Sequence, residues 1–349
     1  MDDVRVSRDE LFQFTTAIFC ATGMSKSYAT TVADVLVWAN ERGVDSHGVI
    51  RIPIYVMEIR RGEYKPTAEP VTRQLMPATF RLDCNRAPGP VCMMRAAARA
   101  IEVADSFGVA VGLLSDPTHL GAIGRYAQWI AERGYAALVI VAGFPFMAYH
   151  GAKVPSIATS PIAIGIPAPE PDGRPLLLDM ATGLIAAGRI RQAAAEGKPI
   201  PEGAAIDVHG NPTTDARQAT TVLPLGGPKG SGLSLMFECM TGILAGTPII
   251  AALGRSHGAK APIQNSMVIA FNIATFRALT DYRRDVEQLK RVVKALPRRD
   301  GFDELLLPGE RGDREAELRR TTGIPLPGRL ATELGKLAQE LGVSPLRVS

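Results

Sequence analysis

The chain has 349 residues, room for one elaborated domain or two ordinary ones, and at this size folding buries roughly three quarters of the unfolded surface. With 46% hydrophobic and 21% charged residues and 34 glycines, the composition excludes disordered, collagen-like and fibrous chains. The 39 lysines and arginines exceed the 35 aspartates and glutamates by only 4, and apart from Arg60-Arg61, Arg283-Arg284 and Arg298-Arg299 they are scattered, which argues against nucleic acid as a partner.

In chain order, Ser7-x-x-Glu10 is a capping box, and Leu11, Phe14, Ala17 and Ile18 follow at helical spacing until Gly23 supplies a stop. From Ser27 the pattern restarts through Val32, Val35, Leu36 and Ala39 to Gly43, and after a short segment, Val44 to Val49, a third apolar stretch begins near Ile52. Lys65-Pro66 and Glu69-Pro70 break the chain, so a boundary is expected near residue 70. Beyond it Val71 to Leu82 alternates like strand, Met93 to Phe107 reads as helix, Val109 to Leu114 as buried strand, Gly121 to Arg133 as helix and Ala136 to Val141 as strand, together a β-α-β unit. Ile162 to Ile166 and Leu176 to Leu178 read as strands, Leu184 to Ala195 as helix and Asn211 to Asp215 as a turn entering a strand. A long helix from Gly230 to Leu244, a strand from Met267 to Phe271, a helix from Phe276 to Leu296 and a last helix complete the pattern.

The longest apolar runs, such as Ala136 to Ala142, fall far short of the roughly 20 residues of a membrane-spanning helix, so no membrane is expected as a partner. Cys20, Cys84, Cys92 and Cys239 have no C-x-x-C spacing, and Met1-Asp2-Asp3 opens no basic-then-apolar leader; reduced thiols and a cytoplasmic location are expected. No H-x-H or H-E-x-x-H spacing supports a bound metal.

Four segments carry candidate chemistry. Asp45-Ser46-His47-Gly48, with Arg51 four residues after His47, gathers an imidazole, a hydroxyl and a guanidinium between two helices. Histidine exchanges protons near neutral pH and arginine grips a carboxylate with parallel hydrogen bonds, a pairing that suits a 2-hydroxy or 2-oxo acid; Ser46 as a helix cap and His47 on a backbone carbonyl is the plainer alternative. His119 follows a strand and precedes a helix, the position at which ligands meet open α/β sheets. His150, His209 and His257 have less distinctive settings. Gly226-Gly227-Pro228-Lys229-Gly230-Ser231-Gly232 precedes a long helix, where backbone amides and the lysine could cradle a phosphate, yet it is neither a Walker loop nor a G-x-G-x-x-G fingerprint. Asp179, after Leu176 to Leu178, places a carboxylate at a strand end, either to orient a histidine or to cap the next helix.

Taken together, Arg42 to Gly48 with Arg51, Thr118 to Ala122, Ala158 to Pro161, Leu178 to Thr182, Asn211 to Asp215, Leu225 to Gly230 and Leu307 to Glu310 resemble the malate/L-lactate dehydrogenase family of NAD(P)-dependent oxidoreductases. This group includes ureidoglycolate and sulfolactate dehydrogenases and pyrroline/piperideine-2-carboxylate reductases. Seven stretches in family order over nearly the whole chain are specific where one would not be. The resemblance implies an α/β fold without a Rossmann motif, in which a cofactor-binding α/β domain, residues 71–274, is joined to a helical domain built from residues 1–70 and 275–349. It also implies NAD or NADP as cofactor, a small carboxylate as substrate and a homodimer.

Carried over by position, the resemblance implies that His47 donates the proton to the substrate oxygen or imine nitrogen, that Ser46 and Asp179 are its relay partners, and that Arg51 and Thr159 contact substrate. In one branch of the family the acid/base role falls to the histidine matching His119, so the choice between the two imidazoles stays open. Cofactor contacts map to His119, Leu120, Gly121 and Ala122, to Asp179, Met180 and Ala181, to Pro228 and Lys229, and to Gly309, Glu310 and Arg311. The chain departs from the family in having Ala158-Thr159-Ser160-Pro161 for Gly-Thr-Asn-Pro and Gly183 for the serine of M-A-T-S. The expected reaction is hydride transfer at C2 of a 2-hydroxy/2-oxo acid, with a cyclic imino acid, ureidoglycolate or sulfolactate as alternative substrates. A Ser46-His47-Asp179 hydrolase is disfavoured, because adjacent side chains rarely converge and no G-x-S-x-G elbow exists. A catalytically silent binding protein is disfavoured by the intact Ser46, His47, Arg51, Asp179 and Lys229.

Overall fold

The computed structural model describes residues 3–170, 173–247 and 264–347. Strand β1 (Val4–Val6) leads into α1 (Arg8–Ala21) and α2 (Lys26–Glu41), and each helix opens on a serine: Ser7 Oγ accepts Glu10 N at 3.2 Å and Ser25 Oγ accepts Tyr28 N at 3.3 Å. Two 3₁₀ turns, Asp45–His47 and Val49–Arg51, carry the chain into α3 (Ile52–Arg60), whose first turn takes a proline.

The middle of the chain builds a seven-stranded sheet. Its strands are β2 (Val71–Met76), β3 (Thr79–Asp83), β4 (Val109–Ser115), β5 (Tyr135–Val141), β8 (Ile162–Ile166), β9 (Leu176–Met180) and β13 (Ser266–Asn272), in the order β2-β3-β4-β13-β5-β8-β9. Helices α4 (Gly89–Phe107) and α5 (Gly124–Ala131) pack on it. The expected β-α-β unit is present in altered form. Strands β4 and β5 run the same way, but β13 lies between them and pairs antiparallel with both; among the described residues β3 with β4 is this sheet's one parallel pair. A smaller sheet gathers β6 (Met147–Ala148), β7 (Pro155–Ile157), β10 (Ala205–Ile206), β11 (Pro212–Thr213) and β12 (Thr221–Val222), next to α6 (Ala187–Glu196).

The last part holds α7 (Pro228–Glu238) running into a π-helical turn at Cys239–Ile243, α8 (Leu279–Lys294), α9 (Glu310–Thr322), β14 (Ile324–Leu326) and α10 (Gly328–Leu341). Several elements differ from the sequence expectation. The region 71–82 is a hairpin, α4 starts four residues before Met93, and α5 is shorter than Gly121 to Arg133 because residues 119–123 are held in a loop. The single terminal helix is two, with β14 between them pairing antiparallel to β1.

The apolar interior falls into two main clusters. One lies under the large sheet, around Phe80, Met93, Leu114, Tyr126 and Val139; the other gathers Leu11, Phe19, Leu36 and Tyr55 from the N-terminal helices with Ile324 and Leu334 from the C-terminal segment. Helix α2 serves both, with Val35, Trp38 and Ala39 toward the first and Val32, Leu36 and Val37 toward the second. Helix α8 stands apart, with Val286 its one buried apolar residue.

Close packing makes glycines informative. A methyl group on Gly165 in β8 would overlap the backbone carbonyl of Ala127 in α5, which has no room to yield, whereas Gly335 in α10 faces open space. Gly165→Ala is therefore expected to lower unfolding free energy by about 1–3 kcal/mol, and Gly335→Ala to raise it by about 0.4–1 kcal/mol, both read from urea unfolding curves.

Candidate active site

The site begins where α2 ends. Gly43, at φ 71°, turns the chain out of the helix, and the 3₁₀ turn that follows brings Ser46 Oγ to 3.0 Å from His47 Nδ1. Asn40, in the last turn of α2, reaches over this segment: its Nδ2 donates to Asp45 Oδ1 at 2.7 Å and its Oδ1 accepts Val49 N at 2.8 Å. The same side chain fills the space a side chain on Gly48 would need. Arg319, buried on α9, donates to Asn40 O at 2.6 Å and to both oxygens of Asp45 at 2.7 and 3.2 Å. Arg42 grips α9 from the other side, pairing with Asp313 and donating to Gly309 O at 3.0 Å.

Arg51 Nε donates to Ser46 O at 2.8 Å, and its guanidinium has no carboxylate partner among the described residues. Burial, together with the neighbouring Arg51 charge, lowers the His47 pKa to about 4, so the ring is neutral at pH 7.

His119 arrives from the sheet side, after β4. Thr118 Oγ1 donates to Ala87 O at 3.0 Å and accepts Gly89 N at 2.8 Å, and a methyl on Gly89 would overlap the carbonyls of Thr118 and His119. The two imidazoles stack with centroids 5.7 Å apart and planes 24° from parallel. Tyr55, from α3, completes the group: its hydroxyl lies 2.6 Å from His119 Nδ1, which also accepts Gly121 N at 3.1 Å. A backbone N–H can only donate, so Nδ1 is an acceptor and the ring proton sits on Nε2. Burial and the charges of Arg51 and His47 hold the His119 pKa well below the usual range.

The remaining expected residues line a continuous wall beyond His119. Leu120 is sealed in, its N–H on Gln264 Oε1 at 2.7 Å and its carbonyl taken by Tyr126. Gly121, at φ 72°, and the buried Ala122 lead to Gly124, whose N–H donates to Asp179 Oδ2 at 3.0 Å. Desolvation raises the Asp179 pKa to about 6, against the opposing pull of Gly124 N and the Arg42 charge. Asp179 makes no hydrogen bond to His47 or Ser46. Met180 ends β9 and Ala181 follows it. Thr159 O accepts Thr182 N at 3.0 Å, which places Thr159 beside that strand end.

Leu225 N donates to Thr182 O at 2.8 Å, and Gly230 leaves no room for a side chain against Thr182, so the glycine turn docks on the same wall. Its amides do not form the expected cradle. Gly227 N bonds Pro224 O, Pro228 has no N–H, and Lys229 N and Gly230 N return to Gly226 O and Leu225 O. The Lys229 side chain remains, exposed and without a carboxylate partner among the described residues. Gly309, at φ 94°, packs on Leu177 at the start of β9; Glu310 is engaged by Leu307 N at 2.9 Å and by Lys294, and Arg311 is exposed with no carboxylate partner among the described residues. An anionic dinucleotide fits this wall, because Lys229 and Arg311 are uncompensated cations at its two ends. Asn40, Tyr55, Gln264 and Arg319 were not singled out from sequence; the polar Asn40 among apolar helix positions was the available signal for one of them. The His150 ring lies against Gly227 of the glycine turn, His209 sits in an exposed turn with Asp207, and His257 lies outside the described residues. No group of three or more metal-ligating side chains forms among the described residues, and none of their helices is long and apolar enough to cross a membrane.

The Arg319 latch is testable. Arg319→Met takes the ion pair from Asp45, which keeps only the Asn40 Nδ2 donor, and one of two donors from Asn40 O; it is expected to cost about 2 kcal/mol, less than a fully buried pair because Asp45 is half in solvent. Denaturant unfolding measures this, and turnover is expected to fall with it.

Residues 6–335 match the malate/L-lactate dehydrogenase family. The chain is 31% identical to a malate/(S)-sulfolactate dehydrogenase of Methanothermus fervidus over 97% of its own length and 98% of the relative's. It is 30% identical to an NAD(+) ureidoglycolate dehydrogenase of Escherichia coli, over 93% of each. Among solved structures, malate dehydrogenase from Pyrococcus horikoshii superposes with a TM-score of 0.88 at 29% identity, covering 99% of this chain and 97% of that one. A site of paired imidazoles and an unpaired arginine, set in this fold and matched over this length, places the chain in the malate/L-lactate dehydrogenase family, as an oxidoreductase enzyme.

Proposed function

We propose that the chain transfers a hydride between NAD or NADP and C2 of a small 2-hydroxy or 2-oxo acid, with His47 moving the accompanying proton. The observation that carries this reading is the trio of His47, His119 and Arg51, in which the arginine lacks a counter-charge and Nε2 of each imidazole has no partner among the described residues. The two rings differ in what they can do. His119 Nδ1 is occupied by two donors, so this ring serves as a fixed Nε2–H donor to a substrate oxygen. The His47 ring is hydrogen-bonded, among the described residues, only to the Ser46 hydroxyl, which can accept as well as donate; with Nδ1–H on Ser46, Nε2 is the basic atom.

A bound nicotinamide would supply or accept the hydride. Lys229 and Arg311 would hold its phosphate-bearing portion by charge, and Met180 and Ala181 at the β9 end would line it. Arg51 would take the substrate carboxylate, fixing C2 against rotation and removing the repulsion that lowers the proton affinity of His47. In the oxidative direction neutral His47 accepts the hydroxyl proton; in the reductive direction its conjugate acid returns it.

Two further features support a homodimer in the cytoplasm. Leu233, Met236, Met240 and Leu244 form an exposed apolar row along α7 and its π-helical extension, the kind of surface a second subunit covers, and Cys20, Cys84, Cys92 and Cys239 are free thiols. Met236→Glu is expected to split the dimer in sedimentation equilibrium; a wild-type chain sedimenting at 37.3 kDa would contradict the assembly.

His47→Ala is expected to reduce turnover by at least about 10²-fold while cofactor still quenches protein fluorescence. Wild-type turnover in that variant would remove His47 from the mechanism. For oxidation the base must be unprotonated, and a pKa lowered to about 4 keeps it so through neutrality. The acid limb of kcat/KM is thus expected near pH 4; a limb centred near the ordinary histidine value of about 6.5 would point to another group.

A further inference from the structure

We infer that Arg191, on α6, is a specificity-determining residue, and that the substrate bears a second acidic group, carboxylate or sulfonate, which Arg191 holds while Arg51 takes the carboxylate beside C2. The inference rests on the dehydrogenase reading above and goes beyond it in naming the substrate class.

Helix α6 meets the catalytic turn directly. A methyl on Gly188 would stand 2.8 Å from Ser46 Cβ and 3.8 Å from its Oγ, so the glycine is what allows the first turn of α6 to rest against Ser46. Residues three apart share a helix face, which puts Arg191 one turn further along on the side of α6 turned toward residues 45–51. Ile190, by contrast, points away into the small apolar cluster with Ile200 and Ala204. The charge of Arg191 reaches Arg51, where it adds to burial in lowering that guanidinium's proton affinity; Tyr55 and Glu58 act in the opposite sense.

Like charges brought to one place without a counter-ion are unfavourable, and the arginines that pack beside the catalytic turn and α2 avoid it. Arg42, Arg125 and Arg319 are each paired with carboxylates. Neither Arg51 nor Arg191 has such a partner among the described residues, although Arg191 is exposed and free to swing toward an acidic neighbour. A monoanion on Arg51 would leave Arg191 uncompensated, whereas a dianion spanning C2 neutralises both. Discrimination of this kind comes from the charge pair left unmade with the wrong substrate.

The test is a substrate panel on the intact enzyme, wild type and Arg191→Gln, with pyruvate, oxaloacetate, sulfopyruvate and pyrroline-2-carboxylate and either reduced nicotinamide. Wild type is expected to favour oxaloacetate or sulfopyruvate over pyruvate by at least about 10² in kcat/KM, and the preferred one of the two identifies the acidic group. Arg191→Gln is expected to shrink that ratio at least tenfold through a higher KM for the dianion, with kcat and cofactor affinity retained, and Arg191→Lys to recover part of it. A wild type that prefers pyruvate or the imine, or a variant that loses all substrates alike or loses cofactor affinity, overturns the assignment while leaving the dehydrogenase reading intact. Turnover of none of the four by wild type would instead remove the dehydrogenase reading itself.

Discussion

The proton transfer proposed for His47 needs an imidazole that is held still, and the turn that carries it cannot hold itself. Its backbone is two short 3₁₀ turns, a geometry with poorer hydrogen bonds than the α-helix and little cooperativity. Rigidity is imported from α9 through two arginine contacts. Arg319 fixes Asp45 at the head of the turn, and Arg42 is anchored to Asp313 and Gly309 O at the start of the same helix. Asn40 lies between them and converts the latch into a position for Gly48 and Val49. Nearly three hundred residues separate the two sides of this contact, so the site exists only in the completed fold.

That dependence explains the architecture around it. Helix α2 is buried on two faces, one against the large sheet and one against the terminal helices, and its C-terminal end is where the two bodies of structure meet. His47 comes from the helical side and His119 from the sheet side, and their stacking is a consequence of the shared helix. The pairing of β1 with β14 and the cluster joining Leu11 and Phe19 to Ile324 and Leu334 keep α9 at the distance from α2 that Arg319 requires.

Much of the fold was legible in the sequence because its signals are local. Serine caps, apolar periodicity and glycine stops located α1, α2, β5, β8 and β9 to within a few residues. What was not legible depended on distant partners. The sequence order of β4, α5 and β5 suggested adjacent strands, and nothing near them reveals that β13 enters between. Within the site, His47, Arg51 and His119 announced themselves by residue type and spacing. Arg319 did not, being one of several arginines on a highly charged helix whose partner lies 274 positions earlier. The glycine-lysine turn misled in a different way. Its composition advertises free amides, but the tightness that four glycines permit is what turns those amides inward.

The insertion of β13 also has a meaning for how the molecule is made. Residues 109–141 leave the ribosome with a vacancy at the centre of their sheet, because the strand that fills it is not synthesised until residue 272. Until then two inner strand edges, rich in valine, leucine and isoleucine, have no hydrogen-bonding partner, a state that invites pairing with other chains. A nascent polypeptide of this design completes its middle almost last, so the assembly of the sheet is expected to be slow and to lean on cellular chaperones more than a sheet laid down strand by neighbouring strand.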